Sequence, residues 1–295
     1  MMGTRATILL ADRSPARAEA LIEAAFDRMA ALAALLTRFE AGSEIGRANA
    51  ATGNWTAVSD PTATVVEDAL AIARASDGAF DPALDRLSEL WGFHRRRAPA
   101  PLPNGLDLAP WREWRGFRFV TLDRTRRGAR LRIEDARAGI DLGGIAKGYA
   151  IDRAVDVLRE HGVRHALVEA GGDLFALGRQ PDGSPWPVGV RDPRRPDRLQ
   201  AVLSAADEGI ATSGDYENFF ELAGQRYAHI LEPRGARPAA FLRSLTVRAR
   251  SATVADALAT AGCAARGEQE LNRLLARLGA SGWLAVPATG GEWRA

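Results

Sequence analysis

The stretch 139–152, GIDLGGIAKGYAID, restricts the fold of this chain more than any other. Upstream, residues 129–133 alternate as a strand does; downstream, Ile145, Tyr149, Ala154, Val155 and Leu158 recur at helical spacing. The pair Gly143 and Gly144 therefore lies at a strand-to-helix turn, which aims bare N–H groups and the positive end of a helix dipole outward. Phosphate suits that geometry. So does a turn whose glycines only let the helix pack tightly on the strand, and spacing does not choose between them. Lys147 adds charge here, and it is the only lysine in a chain with 39 basic residues.

Composition excludes several classes. A chain of 295 residues, 46% hydrophobic and 26% charged, can bury a large core, and a net charge of +2 gives no basic face for nucleic acid. The single cysteine, Cys263, excludes an intrachain disulfide and, with four histidines, a thiolate zinc site. No apolar run approaches the roughly 20 residues a membrane span needs. The start lacks the apolar region and cleavage site of a signal peptide, so the expectation is a cytoplasmic protein or a chain that begins after a removed leader.

Taken in order, residues 4–10 read as a strand, and Ser14-Pro15 as an N-cap with proline at the first helical position. Leu21, Ala25, Met29, Leu32, Leu36 and Phe39 form one apolar stripe. Residues 40–49 read as an irregular polar loop, 64–75 as a second helix closed by Gly78, and 78–82 as a rigid exposed turn. The arginine and proline density over 94–110 marks a surface excursion, the best candidate for a mobile segment; 111–122 and 129–140 read as strands. Residues 166–170 read as a buried strand running into Gly171, Gly172 and Asp173, a second glycine pair placed near the first. Residues 186–191 and 199–203 suggest a hairpin, as do 219–222 and 226–231, the latter carrying His229. A lone strand histidine is more often structural than catalytic. The chain ends with a strand at 245–249, a helix from 251, a helix at 269–278 and a strand at 282–287. In the first of these helices Thr253 and Asp256 fit a capping box, while Asp256 and Thr260, four apart, share a face that suits an oxygen-seeking cation. Spacing alone favours the cap.

Three motif tests fail. Tyr149-Ala150 stands where a P-loop requires Lys-Ser/Thr, no G-x-G-x-x-G opens a dinucleotide fold, and no G-x-S-x-G elbow is present.

Nine segments, in this order and spacing, carry a resemblance across almost the whole chain. They are Met2-Gly3-Thr4, Ser43-Glu44-Ile45 with Asn49, Gly78 to Pro82, Leu90 to Phe93, Asp141 to Ala150, Ala170 to Asp173, Ala211 to Tyr216, His229, and Ala255 to Thr260. Together they resemble the ApbE family of FAD:protein FMN transferases. The resemblance implies an α+β fold of mixed sheets with packed helices and two intimately associated subdomains, forming one domain over 1–295. It implies an enzyme that binds FAD as substrate, cleaves its pyrophosphate with Mg²⁺, and transfers FMN to a Ser or Thr hydroxyl of an acceptor protein, releasing AMP. FAD hydrolysis and non-catalytic flavin binding are the alternatives.

By the same resemblance the metal is held by the Ala146 carbonyl, Asp256 and the Thr260 hydroxyl. FAD touches Met2, Phe39, Ala79, Phe80, Asp81, the Gly143 to Tyr149 turn with Lys147, and His229-Ile230. His229 and Asp256 are the catalytic candidates, the histidine as general base or as the group that positions the acceptor hydroxyl. The implied acceptor is a flavoprotein subunit of a membrane respiratory or electron-transfer complex, and the implied location is the periplasm. One loop departs from the family pattern: where D-P-x-T-G-x-P is common, this chain has Glu232-Pro233-Arg234-Gly235-Ala236-Arg237-Pro238, and a different loop shape is expected.

Overall fold

A computed structural model describes residues 4–11, 14–95, 101–126 and 128–295; Met2 and positions 96–100 of the predicted excursion lie outside it. β1 (Ala6–Leu10) leads into α1 (Pro15–Leu36), which begins as its sequence demands: Ser14 Oγ accepts the Arg17 N–H and Pro15 opens the first turn. Leu21, Ala25, Met29, Leu32 and Leu36 are buried, the larger ones contributing roughly 1.5–3 kcal/mol each. Phe39 does not extend that stripe. The helix ends at its C-cap Thr37, and Phe39 stands 67% exposed.

The expected loop at 40–49 contains α2 (Glu44–Ala50), started by Ser43 Oγ, which accepts the Gly46 N–H at 2.8 Å. Seven residues are too few to show a period, so only the cap could have revealed this helix. After β2 (Thr56–Val58), α3 (Asp60–Ala75) starts earlier than predicted because Asp60-Pro61 forms its first turn. The Gly78 N–H returns to the Ala73 carbonyl to close it. Residues 78–82 are buried rather than exposed, since the following α4 (Asp85–Leu90) and residues 139–141 pack beside them.

The excursion resolves into α5 (Gly105–Leu108), capped by Asn104, and a 3₁₀ turn at Ala109–Trp111. No strand spans 111–122. A second 3₁₀ turn, Gly116–Phe119, precedes β3 (Val120–Thr125), which pairs with β4 (Gly128–Ile133). β4 stops at Ile133, short of the predicted 140, because a turn at Asp135 to Ala138 intervenes. Residues 139–141 then run beside 82–85, bridged at Leu84 and Gly139 and pinned by Asn49, whose amide bonds both the N–H and the carbonyl of Ile140.

The second half begins with α6 (Ala146–Glu160), β5 (Ala166–Ala170) and β6 (Asp173–Leu177), the two strands joined by the Gly171-Gly172 turn. β7 (Trp186–Arg191) and β8 (Leu199–Ala205) form the predicted hairpin, followed by β9 (Glu208–Gly214). β10 (Phe219–Leu222) and β11 (Gln225–Ala228) make a tighter hairpin than predicted, turning at Ala223-Gly224, so His229 and Ile230 follow the strand rather than lie in it. Short β12 (Leu231–Glu232) and β13 (Arg237–Pro238) pair before β14 (Leu242–Ala249), α7 (Ala252–Cys263), α8 (Glu268–Leu278), β15 (Gly282–Pro287) and β16 (Trp293–Arg294).

Seven strands form one antiparallel sheet in the order β1-β5-β6-β9-β14-β15-β16. Alternation along each strand decides its two faces. On one, Phe175 and Leu177 meet the layer holding α6, with α1 packed outside α6; Ala211, Leu245 and Val247 meet α7. On the other, Leu174, Ala176 and Ile210 are covered by Trp186 and Val188 of the β7–β8 hairpin. The smaller sheet, β2-β4-β3, packs on α3, and a continuous apolar cluster runs from α6 through α1 to α3 and β4. This is the α+β architecture the motifs imply. No helix among the described residues is long and apolar enough to cross a membrane.

Candidate functional site

The glycine turn of 139–152 meets the middle of α7 because two glycines remove the obstacles. A Cβ on Gly148 would fall 2.1 Å from the Ala252 carbonyl oxygen, and one on Gly144 would fall 2.8 Å from Thr260 Oγ1. The first turn of α6 therefore lies directly against the face of α7 that carries Asp256 and Thr260.

Asp256 is not a helix cap. Ser251 caps α7, its Oγ accepting the Val254 N–H at 3.2 Å, and Asp152 of α6 accepts the Ala252 and Thr253 N–H groups at 2.9 Å each. With those amides satisfied from across the interface, the Thr253–Asp256 box never forms. Asp256, 2% exposed, instead accepts the Gly148 N–H at 3.1 Å through Oδ2, and both its oxygens accept from Lys147 Nζ, at 3.0 and 3.2 Å.

A second carboxylate completes the cluster. Asp173, at the first residue of β6, is 1% exposed, accepts the Thr212 N–H at 3.1 Å, and places Oδ2 2.9 Å from Lys147 Nζ. That contact is a close, buried ion pair. Two buried carboxylates face one ammonium. Burial pushes Asp173 up to about 7, with the Asp256 charge adding to it; burial works against charge on Lys147, but the two carboxylates outweigh it and raise its pKa. Asp256 and Asp173 thus gather carboxylate oxygens around a single ammonium, a setting that suits a cation.

The donor set suits a hard one. Ala146 lies between Gly144, which touches Thr260, and Gly148, which bonds Asp256; Thr260 Oγ1 also meets Ser213 Oγ of β9 at 3.4 Å. Carboxylate, hydroxyl and carbonyl oxygens with no sulfur or imidazole fit Mg²⁺ chemistry. Among the described residues no three His, Cys, Asp or Glu side chains are placed to hold a metal ion together, so a cation here must draw on carbonyl and hydroxyl oxygen as well.

The rest of the site converges on Asp141. Its Oδ1 accepts the Gly143 N–H at 2.8 Å and its Oδ2 pairs with Arg38 Nε at 3.1 Å. Arg38 in turn bonds Asp85 Oδ1 at 2.7 Å and lies against His94. Burial would raise Asp85, but His94 and Arg38 hold it below the usual carboxylate value. Phe39 lies under the Arg38 guanidinium at 4.2 Å and edge-on to His94, an exposed aromatic plate. Ala79, Phe80 and Asp81 are buried beside this turn, Asp81 through the Pro82 carbonyl that accepts the Asp141 N–H.

His229 is aimed by an aromatic stack. Phe93 lies 5.5 Å from Phe220, Phe220 5.1 Å from Tyr227, and Trp91 5.9 Å from Tyr227, so the Leu90 to Phe93 motif clamps the β10–β11 hairpin. The His229 ring places Nδ1 3.1 Å from the Asn218 carbonyl. A carbonyl only accepts, so Nδ1 carries the proton and Nε2 keeps its lone pair. Burial lowers the His229 pKa, the Asn218 contact opposes it, and the charges of Asp141, Lys147 and Arg38 all bear on the ring.

Two candidates lie elsewhere. Tyr149 is buried with Arg153 over its ring at 5.3 Å and its hydroxyl toward Thr64 of α3, and Ile230 is part of the apolar cluster under α7. The divergent loop keeps a conformation glycine suits: Ala236, where the family pattern has glycine, adopts φ 54°. The Trp91 indole donates to its carbonyl at 2.9 Å, and Glu232 Oε1 accepts the Gly235 N–H at 3.1 Å.

Sequence reasoning missed Arg38, Asp85, Asp152 and Ser213, and left Asp173 without a role. Asp173 had a signal as a carboxylate behind a glycine pair, and Asp152 and Ser213 lay inside quoted segments without a role; Arg38 and Asp85 had none.

A fold of this kind is shared by solved flavin transferases. The structure superposes on the ApbE protein of Thermotoga maritima with a TM-score of 0.88 at 33% identity, covering 100% of this chain and 94% of that one. The apo flavinyl transferase ApbE of Pseudomonas stutzeri gives 0.80 at 30% identity, covering 99% and 94%. A Vibrio cholerae protein named FAD:protein FMN transferase is 35% identical over 237 residues, 79% of this chain and 70% of that protein. The sequence profile of the ApbE family matches residues 2–281, and the chain belongs to that family.

Proposed function

We propose that this chain is an FAD:protein FMN transferase: it moves FMN from FAD to a Ser or Thr hydroxyl of an acceptor protein and releases AMP. The observation that carries the reading is the meeting of the α6 N-terminus, Lys147, Asp256 and Thr260 at one buried, oxygen-rich site. The relatives' printed names support the reaction.

The FAD pyrophosphate lies outside the Gly143-Gly144 turn, where the helix dipole and the Lys147 ammonium face its charge. Ala146, Asp256 and Thr260 would hold Mg²⁺, which would supply electrophilic neutralisation of the pyrophosphate. Phe39 offers its exposed face to a flavin or adenine ring. The acceptor hydroxyl oxygen attacks the FMN phosphorus, its proton passes to His229 Nε2, and the bond to AMP breaks with its electron pair leaving on AMP. The lowered pKa keeps His229 neutral, hence basic, below the ordinary 6.5.

Incubating the full chain with FAD, Mg²⁺ and a candidate acceptor, and following AMP release and in-gel flavin fluorescence, tests this. Asp256→Ala abolishes Mg²⁺-dependent AMP release, and His229→Ala retains FAD binding while transfer falls on the order of 10²–10⁴-fold. Full transfer by either variant contradicts its role. FMN free in solution with a bare acceptor makes the chain a hydrolase instead. A respiratory flavoprotein subunit as acceptor, and the periplasm as location, rest on the family resemblance; flavin labelling in membrane extracts and cell fractionation check them.

A further inference from the structure

Lys147 occupies the position a cation would claim. Its Nζ contacts both oxygens of Asp256, at 3.0 and 3.2 Å, and Asp173 Oδ2 at 2.9 Å. The remaining contact of Asp256 is the Gly148 N–H, which is backbone and cannot leave without unwinding α6. A divalent cation bound at about 2.1 Å from Asp256 Oδ1 would lie within about 5 Å of the ammonium sharing that oxygen, where the two charges repel strongly in a buried setting. The ammonium has one other anion within reach. Asp173 is fixed by the Thr212 N–H at 3.1 Å, and its buried Oδ2 already lies 2.9 Å from the ammonium.

We infer that Lys147 is an internal counter-ion that competes with the divalent cation for Asp256, and that Asp173 is the positioning residue that keeps the ammonium when the cation displaces it. The inference rests on the metal reading of Asp256 and Thr260 given above. Without the cation, Lys147 balances two buried carboxylates and keeps the α6–α7 seam closed. With the cation on Asp256, Asp173 retains the ammonium beside the glycine turn, so the site gains the metal's charge without losing the lysine's. This gives the chain's only lysine a task its arginines do not share: an ammonium is a compact charge that can pass between carboxylates, whereas a guanidinium is a planar fork suited to one fixed partner.

The test is Mn²⁺ binding to the FAD-free full chain by titration calorimetry or electron paramagnetic resonance. Lys147→Gln removes the competitor, and its Mn²⁺ affinity rises about tenfold or more over the unmodified chain; Lys147→Arg keeps the charge and shows no such gain. Affinity equal or reduced in K147Q overturns the competition. No binding in either the unmodified chain or K147Q overturns the metal reading as well, so the two failures are distinct. A second measurement needs no change at Lys147. Incorporating ¹⁵N-lysine gives one side-chain ammonium signal, which shifts on Mg²⁺ saturation if the ammonium gives up Asp256 and keeps Asp173; an unmoved signal overturns the competition. In Asp173→Asn the same titration releases the ammonium to water and the signal is lost to exchange, whereas a retained, shifted signal overturns the role of Asp173.

Discussion

Asp81 bonds one carboxylate oxygen to the Ala83 N–H at 2.9 Å and buries the other without a hydrogen bond. Burial pushes its pKa up to about 6, against a smaller opposing effect of nearby backbone N–H groups. A folded-state pKa above the unfolded 3.8 means that stability is full below 3.8 and declines as pH rises to about 6, then stays level. Asp81→Asn keeps the Ala83 contact and removes the charge. Its stability relative to the parent therefore rises with pH, by about 2–3 kcal/mol between pH 4 and pH 8. Urea unfolding at the two pH values measures this, and a pH-independent difference contradicts it. Such a residue is hard to read from sequence: Gly78 to Pro82 looks like an exposed turn, and both the segment packed beside it, 139–141, and the opposing N–H groups of Gly116 and Phe117 are distant in the chain. Ala236 teaches the same lesson at lower energy. Its left-handed φ costs about 1 kcal/mol relative to glycine, and the Trp91 and Glu232 contacts hold it there.

Among the elements, α6 and α7 are the pair on which the site depends. Asp152 terminates α7 from a neighbouring helix, bonding Ala252 N, Thr253 N and Thr253 Oγ1. Asp152→Ala leaves those buried amides unsatisfied and costs roughly 2–3 kcal/mol. Because α7 carries Asp256 and Thr260, the same change weakens divalent-cation binding. Thermal unfolding and Mn²⁺ titration of the variant check both effects; a melting temperature unchanged within error contradicts the capping role. Long elements were legible in the sequence. The α1 stripe from Leu21 to Leu36, the Ser14-Pro15 start and the apolar face of α6 follow from local spacing, and each is where periodicity places it; Phe39 alone falls outside. Short ones were not, since α2 and the 3₁₀ turns at 109–119 have too few residues for a period and are held by contacts from elsewhere.

Across the whole molecule, the site gathers Asp141 to Gly148, Asp173, Ser213, His229 and Asp256 to Thr260, segments from both α-helical and β layers. Binding there should stabilise every layer at once. FAD with Mg²⁺ at about 100 times Kd adds about 2.7 kcal/mol, and calorimetry should show one unfolding transition moving upward. Two transitions, only one of which moves, would divide the chain into separate units.

Local order in the chain determined the long helices, the glycine turn with its outward N–H groups, the hairpins and, through the spaced motifs, the family. These depend on neighbours within a few residues, where steric rules and periodicity act. Tertiary structure decided the rest. Asp256 became a partner of Lys147 because Asp152 had taken its capping partners, and Asp173 joined them because β6 begins beside α6. Charge interactions depend on distance and burial in space, and sequence separation does not encode either.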